Sequence, residues 1–306
     1  DDTGFIPSKR YVSQHEIADY AEMLADHFDI RKHIKFSYEV TKLEYLKKGF
    51  WSIEAKNLNS NDKIEYFEAR HVVSANGPLS TPRMPELGGM ESFQGESFHT
   101  AKWNNDINLR GKSVGIIGTG ASAAQVITSI ADEVKQLTVF QRTPTWAIER
   151  EDQPTPPEIV EAFKAGGYST KLRHVDWKKE LPPDPNIPFT FEQLHDKKWN
   201  ADVCALLSER IKNDVKDPET AKLLTPDYPF FCKRVLIIDD YFTTYNKDNV
   251  KLVHEPGGVT EITEKGLKVA SGANYELDVI IYATGFDAGL IPFPIIGKNK
   301  VLLSEK

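Results

Sequence analysis

The apolar positions of this chain change period along its length, and each change marks a different element. Near the middle, Ser113 to Ile117 run apolar on consecutive positions, as in a strand buried on both faces, and a glycine-rich break, Gly118-Thr-Gly120, follows. Val126, Ile127, Ile130, Ala131 and Val134 then recur at helical spacing, and Leu137-Thr-Val-Phe140 returns to a strand pattern. The spacing predicts strand, tight turn, helix, strand.

Upstream, Ser13 and Glu16 have the spacing of a capping box, and Ile17, Tyr20, Ala21, Leu24 and Phe28 predict an amphipathic helix with one buried face. Between Ile34 and Ala75 the period drops to two over residues 36–41, 50–55 and 64–69, with turn-forming stretches at 47–49 and 57–62. That pattern predicts a small antiparallel meander, with His71-Val-Val-Ser-Ala75 as a last strand running into Gly77. Pro78, Pro82 and Pro85 then read as an extended linker and a domain boundary.

Beyond Trp146, prolines at 154, 156, 157, 182, 183, 185 and 188 punctuate helical stretches near 158–165, 201–215 and 217–224. Val203, Leu206, Leu207, Ile211 and Val215 keep a one-sided apolar face, and Asp217-Pro218 is a cap with proline at the first helical position. Residues 232–238, 250–253 and 277–286 read as strands that complete a second sheet. There is no repeat of solenoid period.

The small residues at the central break have mechanical reasons to be there. Gly118 permits the sharp turn, Gly120 lets backbone approach a pyrophosphate, and Ala123 lets helix and strand pack closely. The helix N-terminus adds free N–H groups and a positive dipole end. The pattern predicts a dinucleotide site, the alternative being a glycine turn in some other α/β protein. At the end of the second strand an NAD site wants a carboxylate for the ribose 2′-hydroxyl, whereas this chain has Phe140-Gln-Arg142-Thr143. The guanidinium fork of Arg142 suits a 2′-phosphate and favours NADP over NAD, against the alternative of an arginine that only caps a strand end.

Composition narrows the class. A length of 306 residues fits two domains with a small third, and 40% hydrophobic with 27% charged residues is globular. No apolar run is long enough to cross a bilayer. A formal net charge of −7 excludes general attraction to nucleic acid or anionic membrane, so positive charge is expected only locally, at phosphate sites. Cys204 and Cys232 form no CxxC, and the histidines show no HxxxH or HExxH spacing, so no disulfide framework and no metal site are expected. The thiols suit a reducing compartment, and a cytoplasmic protein is expected.

Five motifs carry a family resemblance that covers nearly the whole chain. Phe93-Gln-Gly95-Glu-Ser-Phe-His99-Thr-Ala-Lys-Trp103 resembles the FxGxxxHxxxW signature of Baeyer-Villiger monooxygenases, placed as in that family just before the dinucleotide glycines. Tyr11-Val-Ser-Gln-His-Glu-Ile17 is similar to its YPSQxEI, Phe140-Gln-Arg-Thr-Pro144 to its FQRTP, Lys233-Arg234 to its Lys-Arg pair, and the stretch from Asp278 to Asp287 to its DxIIxATGFD.

The resemblance implies an α/β, two-dinucleotide-binding-domain flavoprotein, with a Rossmann-like NADP domain inserted in an FAD domain and a helical subdomain. On that plan residues 1–85 are an FAD-domain portion with the meander and 86–150 are the connector and NADP-binding unit. Residues 151–228 are the helical subdomain, 229–286 the remainder of the NADP domain, and 287–306 a truncated return to the FAD domain. It also implies the cofactors FAD and NADPH, with NADPH reducing the flavin, and the substrates O2 and a ketone, which gains oxygen next to its carbonyl.

Residue by residue, the likeness places the pyrophosphate on Gly118, Thr119, Gly120, Ala121, Ser122, Ala123 and Gln125, and the 2′-phosphate among Arg142, Thr143 and Lys233. Arg234 matches the active-site arginine, whose cation stabilises negative charge on the reacting oxygen, the alternative being a surface salt bridge. Val40 would contact the FAD adenine by backbone, and Phe93, Gly95, His99 and Trp103 make up the connector. There His99 is expected to hold conformation rather than move protons.

Two departures concern the subfamily: Asn104 stands where Pro or Asp usually follows the Trp, and Val12 where Pro is usual. Two other readings stay open. A flavin monooxygenase that oxygenates nitrogen or sulfur has a similar connector that commonly lacks the Trp, so Trp103 argues against it. A truncated NADP-binding module without turnover is the other, since the chain opens on Asp1 and reads as a fragment without the FAD domain's own GxGxxG.

Overall fold

A computed structural model describes residues 3–166, 191–289 and 291–305. By internal contacts it divides into two compact units, one comprising residues up to Glu16 with Met84–Gly285, the other Ile17–Arg83 with Phe286–Lys306.

In the smaller unit the alternating stretches form the meander that their period predicts. Strands β1 (Tyr38–Tyr45), β2 (Trp51–Asn57) and β3 (Lys63–Ala69) pair antiparallel, with Leu43 opposite Ile53 and Ile53 opposite Phe67, and the short strand Ile295–Ile296 (β14) pairs parallel to β1 at Leu43. Two expectations fail here. Residues 71–75 form no strand and Val73 is 87% exposed, because a β-branched run pairs only where a neighbouring strand offers its edge, and none does among the described residues. Helix α1 (Gln14–His27), which enters this unit at Ile17, forms, but Ala25 is its one buried residue, and Ile17, Met23 and Phe28 are exposed rather than packed. Its capping box is half made: the Ser13 hydroxyl accepts the Glu16 N–H at 3.3 Å, while the Glu16 carboxylate turns to the N–H and hydroxyl of Ser8 at 2.7 and 2.6 Å.

The larger unit is built on five parallel strands, β4 (Glu96–His99), β5 (Ser113–Ile117), β6 (Gln136–Gln141), β9 (Val250–His254) and β13 (Val279–Tyr282), in the order β4-β13-β5-β6-β9. The inner strands β5, β6 and β13 are covered on both faces, which explains their near-continuous apolar runs. On β13, Val279 and Ile281 join a core with helix α2 (Ala121–Ile130), whereas Ile280 and Tyr282 point to a second core. That second core holds Ile262, Leu267 and Val269 from a three-stranded antiparallel sheet, β10 (Val259–Thr263), β11 (Gly266–Val269) and β12 (Asn274–Glu276).

Residues 232–238 do not enter the main sheet as expected. Leu236–Ile237 (β8) instead pairs with Ala147–Ile148 (β7), because the Trp146 and Ile148 carbonyls accept the Leu236 and Ile238 N–H groups at 2.9 Å. Helices α3 (Pro157–Lys164), α4 (Phe191–His195), α5 (Lys197–Asp214), α6 (Pro218–Leu224) and α7 (Tyr241–Thr244) complete the unit among the described residues. Leu207, Ile211 and Val215 pack inward as their spacing predicts, but Leu206 is 69% exposed, one position round the helix from Leu207. The prolines at 182, 183, 185 and 188 lie outside the described residues.

Candidate functional site

The glycine turn follows β5 directly. Gly118 has φ +113°, and a Cβ added there would meet the Ala283 carbonyl oxygen at 2.6 Å, so both the backbone conformation and the end of β13 require glycine. Gly120 caps α2, and nothing lies within 4 Å of where its side chain would be, which leaves one side of the turn open. The amides of Ala121, Ser122 and Ala123 precede the first helical bond, from the Ala124 N–H to the Gly120 carbonyl at 2.9 Å. Ala123 is fully buried in the core with Val114 and Ile116 of β5. The Thr119 hydroxyl donates to the Thr143 carbonyl at 3.0 Å, and the Gln125 amide folds onto the Ala121 carbonyl at 3.1 Å.

Arg142, at the end of β6, is exposed, its Cδ about 4.0 Å from where a Cβ on Gly258 would stand, and it has no ion pair among the described residues. Its neighbour Pro144 accepts the Tyr228 hydroxyl at 3.0 Å. Tyr228 in turn carries the Lys233 ammonium 4.7 Å from its ring centre, within range of a cation–π attraction. Arg234 is also exposed and, among the described residues, makes no salt bridge. Among the described residues, Arg142, Lys233 and Arg234 thus stand without carboxylate partners, in a chain of net charge −7.

The residues between Phe93 and Trp103 bind β4 into the sheet. Phe93 packs in the second core, and a Cβ on Gly95 would collide with the Asp278 carbonyl and the Phe93 ring, so a bulkier residue cannot enter. Asp278 ties three strand starts together: its carbonyl accepts the Glu96 N–H at 3.2 Å, its N–H donates to Ser113 at 2.8 Å, and its carboxylate accepts the Ser113 N–H at 2.8 Å. His99 is 3% exposed, its Nδ1 accepts the Ala101 N–H at 3.0 Å, and its ring meets the Gly285 backbone. Burial holds its pKa below the ordinary histidine value, with the Gly285 contact opposing that shift. Trp103 packs edge-on against Phe98, ring centres 5.0 Å apart.

One clamp had no expectation from sequence. Asn200 of α5, 8% exposed, donates its amide to the Phe230 carbonyl at 3.0 Å and accepts the Phe230 N–H at 2.9 Å, while Cys204 accepts the same N–H at 3.3 Å. A cavity of about 780 Å³ opens beside this clamp, lined by Trp146, Tyr228 and Phe231 among others. Both cysteines are free thiols. Among the described residues no cluster of three His, Cys, Asp or Glu side chains is placed to hold a metal ion, and no helix is long and apolar enough to cross a membrane.

In the smaller unit, Val40 on β1 lies opposite Ala55, immediately before a register shift against β2. A shift of this kind leaves a residue outside the ladder and re-aims the local backbone.

The chain is similar to known proteins in sequence and in structure. Residues 7–166 match the family described as flavin-binding monooxygenase-like. The chain is 36% identical over 348 residues to the 2-oxo-Delta(3)-4,5,5-trimethylcyclopentenylacetyl-CoA monooxygenase of Pseudomonas putida, an alignment covering 99% of this chain and 62% of the relative. It is 30% identical over 331 residues to the cyclohexanone 1,2-monooxygenase of Acinetobacter sp, covering 97% and 60%. The crystal structure of OTEMO in complex with FAD and NADP superposes with a TM-score of 0.83 at 34% identity, over 98% of this chain and 63% of that one. The chain therefore spans about three fifths of the length of these relatives.

Proposed function

The chain belongs to the flavin-binding monooxygenase-like family, among its Baeyer-Villiger members, and from that membership we propose that the protein is an FAD- and NADPH-dependent monooxygenase that inserts one atom of O2 beside a ketone carbonyl, giving an ester or lactone. One observation of the fold carries the reading. The open-sided Gly120 turn and the exposed cations Arg142, Lys233 and Arg234, which have no carboxylate partner among the described residues, belong to the same unit. That donor set fits a phosphorylated dinucleotide: backbone amides at a helix N-terminus for the pyrophosphate, and planar or point cations for a 2′-phosphate.

Gly118, Gly120, Ala121, Ser122, Ala123 and Gln125 hold the pyrophosphate on this reading, with Thr119 fixing the turn through its bond to Thr143. Arg142, Thr143 and Lys233 receive the 2′-phosphate, which sets NADPH above NADH. The flavin, when bound, supplies the oxygen chemistry, and the backbone beside Val40 receives its adenine. Arg234 keeps an uncommitted guanidinium for negative charge that develops on the reacting oxygen, where a preorganised cation is most effective. His99, with its ring enclosed, positions the connector and exchanges no proton with substrate. The two free thiols suit a cytoplasmic enzyme.

A product assay tests this. The protein, supplied with FAD, NADPH and air, is offered a panel of ketones, sulfides and amines, and products are identified by mass. Ester or lactone from a ketone supports the proposal. Sulfoxide or N-oxide with no ester overturns it in favour of heteroatom oxygenation, and NADPH binding with no turnover overturns it in favour of a binding module.

A further inference from the structure

The two cationic segments assigned to the 2′-phosphate are remote in sequence, yet both are fastened to one side chain. The Tyr228 hydroxyl donates to the carbonyl of Pro144, two residues after Arg142, at 3.0 Å. Its ring carries the Lys233 ammonium at 4.7 Å. Its own backbone is held in place, because the Trp146 indole N–H donates to the Tyr228 carbonyl at 2.9 Å. Two residues further on, the Asn200 amide grips both backbone groups of Phe230. Resting on the NADPH reading above, we infer that Tyr228 is a positioning residue for nicotinamide-cofactor selectivity, holding the Arg142–Pro144 arm and Lys233 at a fixed separation so that one 2′-phosphate meets both.

The chemistry at each end fits that task. Burial raises the phenol above its ordinary value, so at neutral pH it stays a neutral donor to Pro144. The ring face attracts the ammonium while leaving its N–H groups free to bond phosphate, since a cation–π contact consumes no donor. A lysine otherwise loses much rotamer freedom on binding a phosphate. The ring takes part of that loss in the free protein, and a preorganised group binds more tightly for it.

The test uses adenylates, which need no flavin and no turnover. Isothermal titration of the protein with 2′,5′-ADP and with 5′-AMP gives the selectivity for the 2′-phosphate directly. In Tyr228→Leu, 2′,5′-ADP affinity is expected to fall about fivefold or more with 5′-AMP affinity unchanged, and in Tyr228→Phe, which keeps the ring, about two- to fivefold. Equal losses for both ligands, or an unchanged preference, overturn the inference. If Tyr228→Leu does not fold, as judged by circular dichroism, Tyr228→Phe decides alone: a selective loss supports the role and its absence overturns it. A wild-type protein that does not prefer 2′,5′-ADP overturns the NADPH reading and this inference with it. A wild type that prefers it while Tyr228→Leu keeps the preference overturns this inference alone.

Discussion

Thr119 donates its hydroxyl to the carbonyl of Thr143 at 3.0 Å, closing the glycine turn onto the loop that follows β6. The residue is 7% exposed, so the donor has little water to fall back on. Thr119→Val keeps the shape and removes the bond, and it is expected to cost about 1 kcal/mol of stability and to weaken NADPH binding, because the turn loses its tie to Arg142 and Thr143. Thr119→Ser keeps the donor and should retain both. Thermal unfolding and NADPH titration of the two variants check this.

Gly118 and Gly120 look alike in sequence and differ in kind. At Gly118 a methyl group faces the Ala283 carbonyl at 2.6 Å on a backbone with φ +113°; at Gly120 it faces open space with φ −75°. Gly118→Ala should therefore lose about 1–3 kcal/mol through crowding and strain. Gly120→Ala should unfold within about 0.5 kcal/mol of wild type yet bind NADPH poorly if, as proposed, the pyrophosphate approaches on the side where the methyl group would stand. Denaturant unfolding separates the two, and the pair of outcomes reversed would refute the assignment of the open side as the ligand side.

The glycine unit was legible because its signals are local: an apolar run, two glycines, a helical period and a second strand lie within some thirty residues. The place of Arg142 at the end of a strand was legible for the same reason. The partners of the Phe93–Trp103 stretch were not, because β4 pairs with β13 from the far end of the chain, and no spacing in residues 93–103 announces Asp278 or Gly285 as neighbours. Residues 71–75 were over-read, since β-branched content records fitness for a sheet and not the presence of a partner strand. Asn200 had a usable signal: it sits three residues before Val203 and seven before Leu207, a lone amide on an apolar stripe that must find backbone to bond. Tyr228 had none, because an aromatic before proline reads only as a turn.

The buried imidazole of His99 makes stability depend on pH with a definite sign. Desolvation lowers its pKa in the folded protein, so the unfolded chain binds more protons in the interval below the ordinary histidine value of about 6.5. Its contribution is fully present above that value and is lost as the pH falls beneath it. Thermal stability of the wild type should therefore drop more steeply between about pH 6.5 and 5 than that of His99→Gln, which cannot titrate. Parallel curves for the two proteins would show that His99 does not couple to folding.

The exposed arginines Arg142 and Arg234 are both unpaired among the described residues, and the proposed roles divide their effects cleanly. If Arg142 meets the 2′-phosphate, Arg142→Ala removes a charge-assisted bond that NADH never makes, so NADPH binding should weaken by about 1–3 kcal/mol while NADH binding holds. If Arg234 stabilises charge at the reacting oxygen, Arg234→Ala should leave NADPH affinity intact and lower the rate of ester formation about a hundredfold or more, the usual loss when one preorganised donor to a developing charge is removed. The ketone KM should move little in that variant, since the interaction is made in the transition state rather than with bound substrate. Steady-state kinetics with NADPH and NADH, alongside direct binding of each, separates the two arginines. Equal losses for NADPH and NADH in Arg142→Ala would remove Arg142 from the 2′-phosphate site, and an unchanged rate in Arg234→Ala would remove Arg234 from the chemistry.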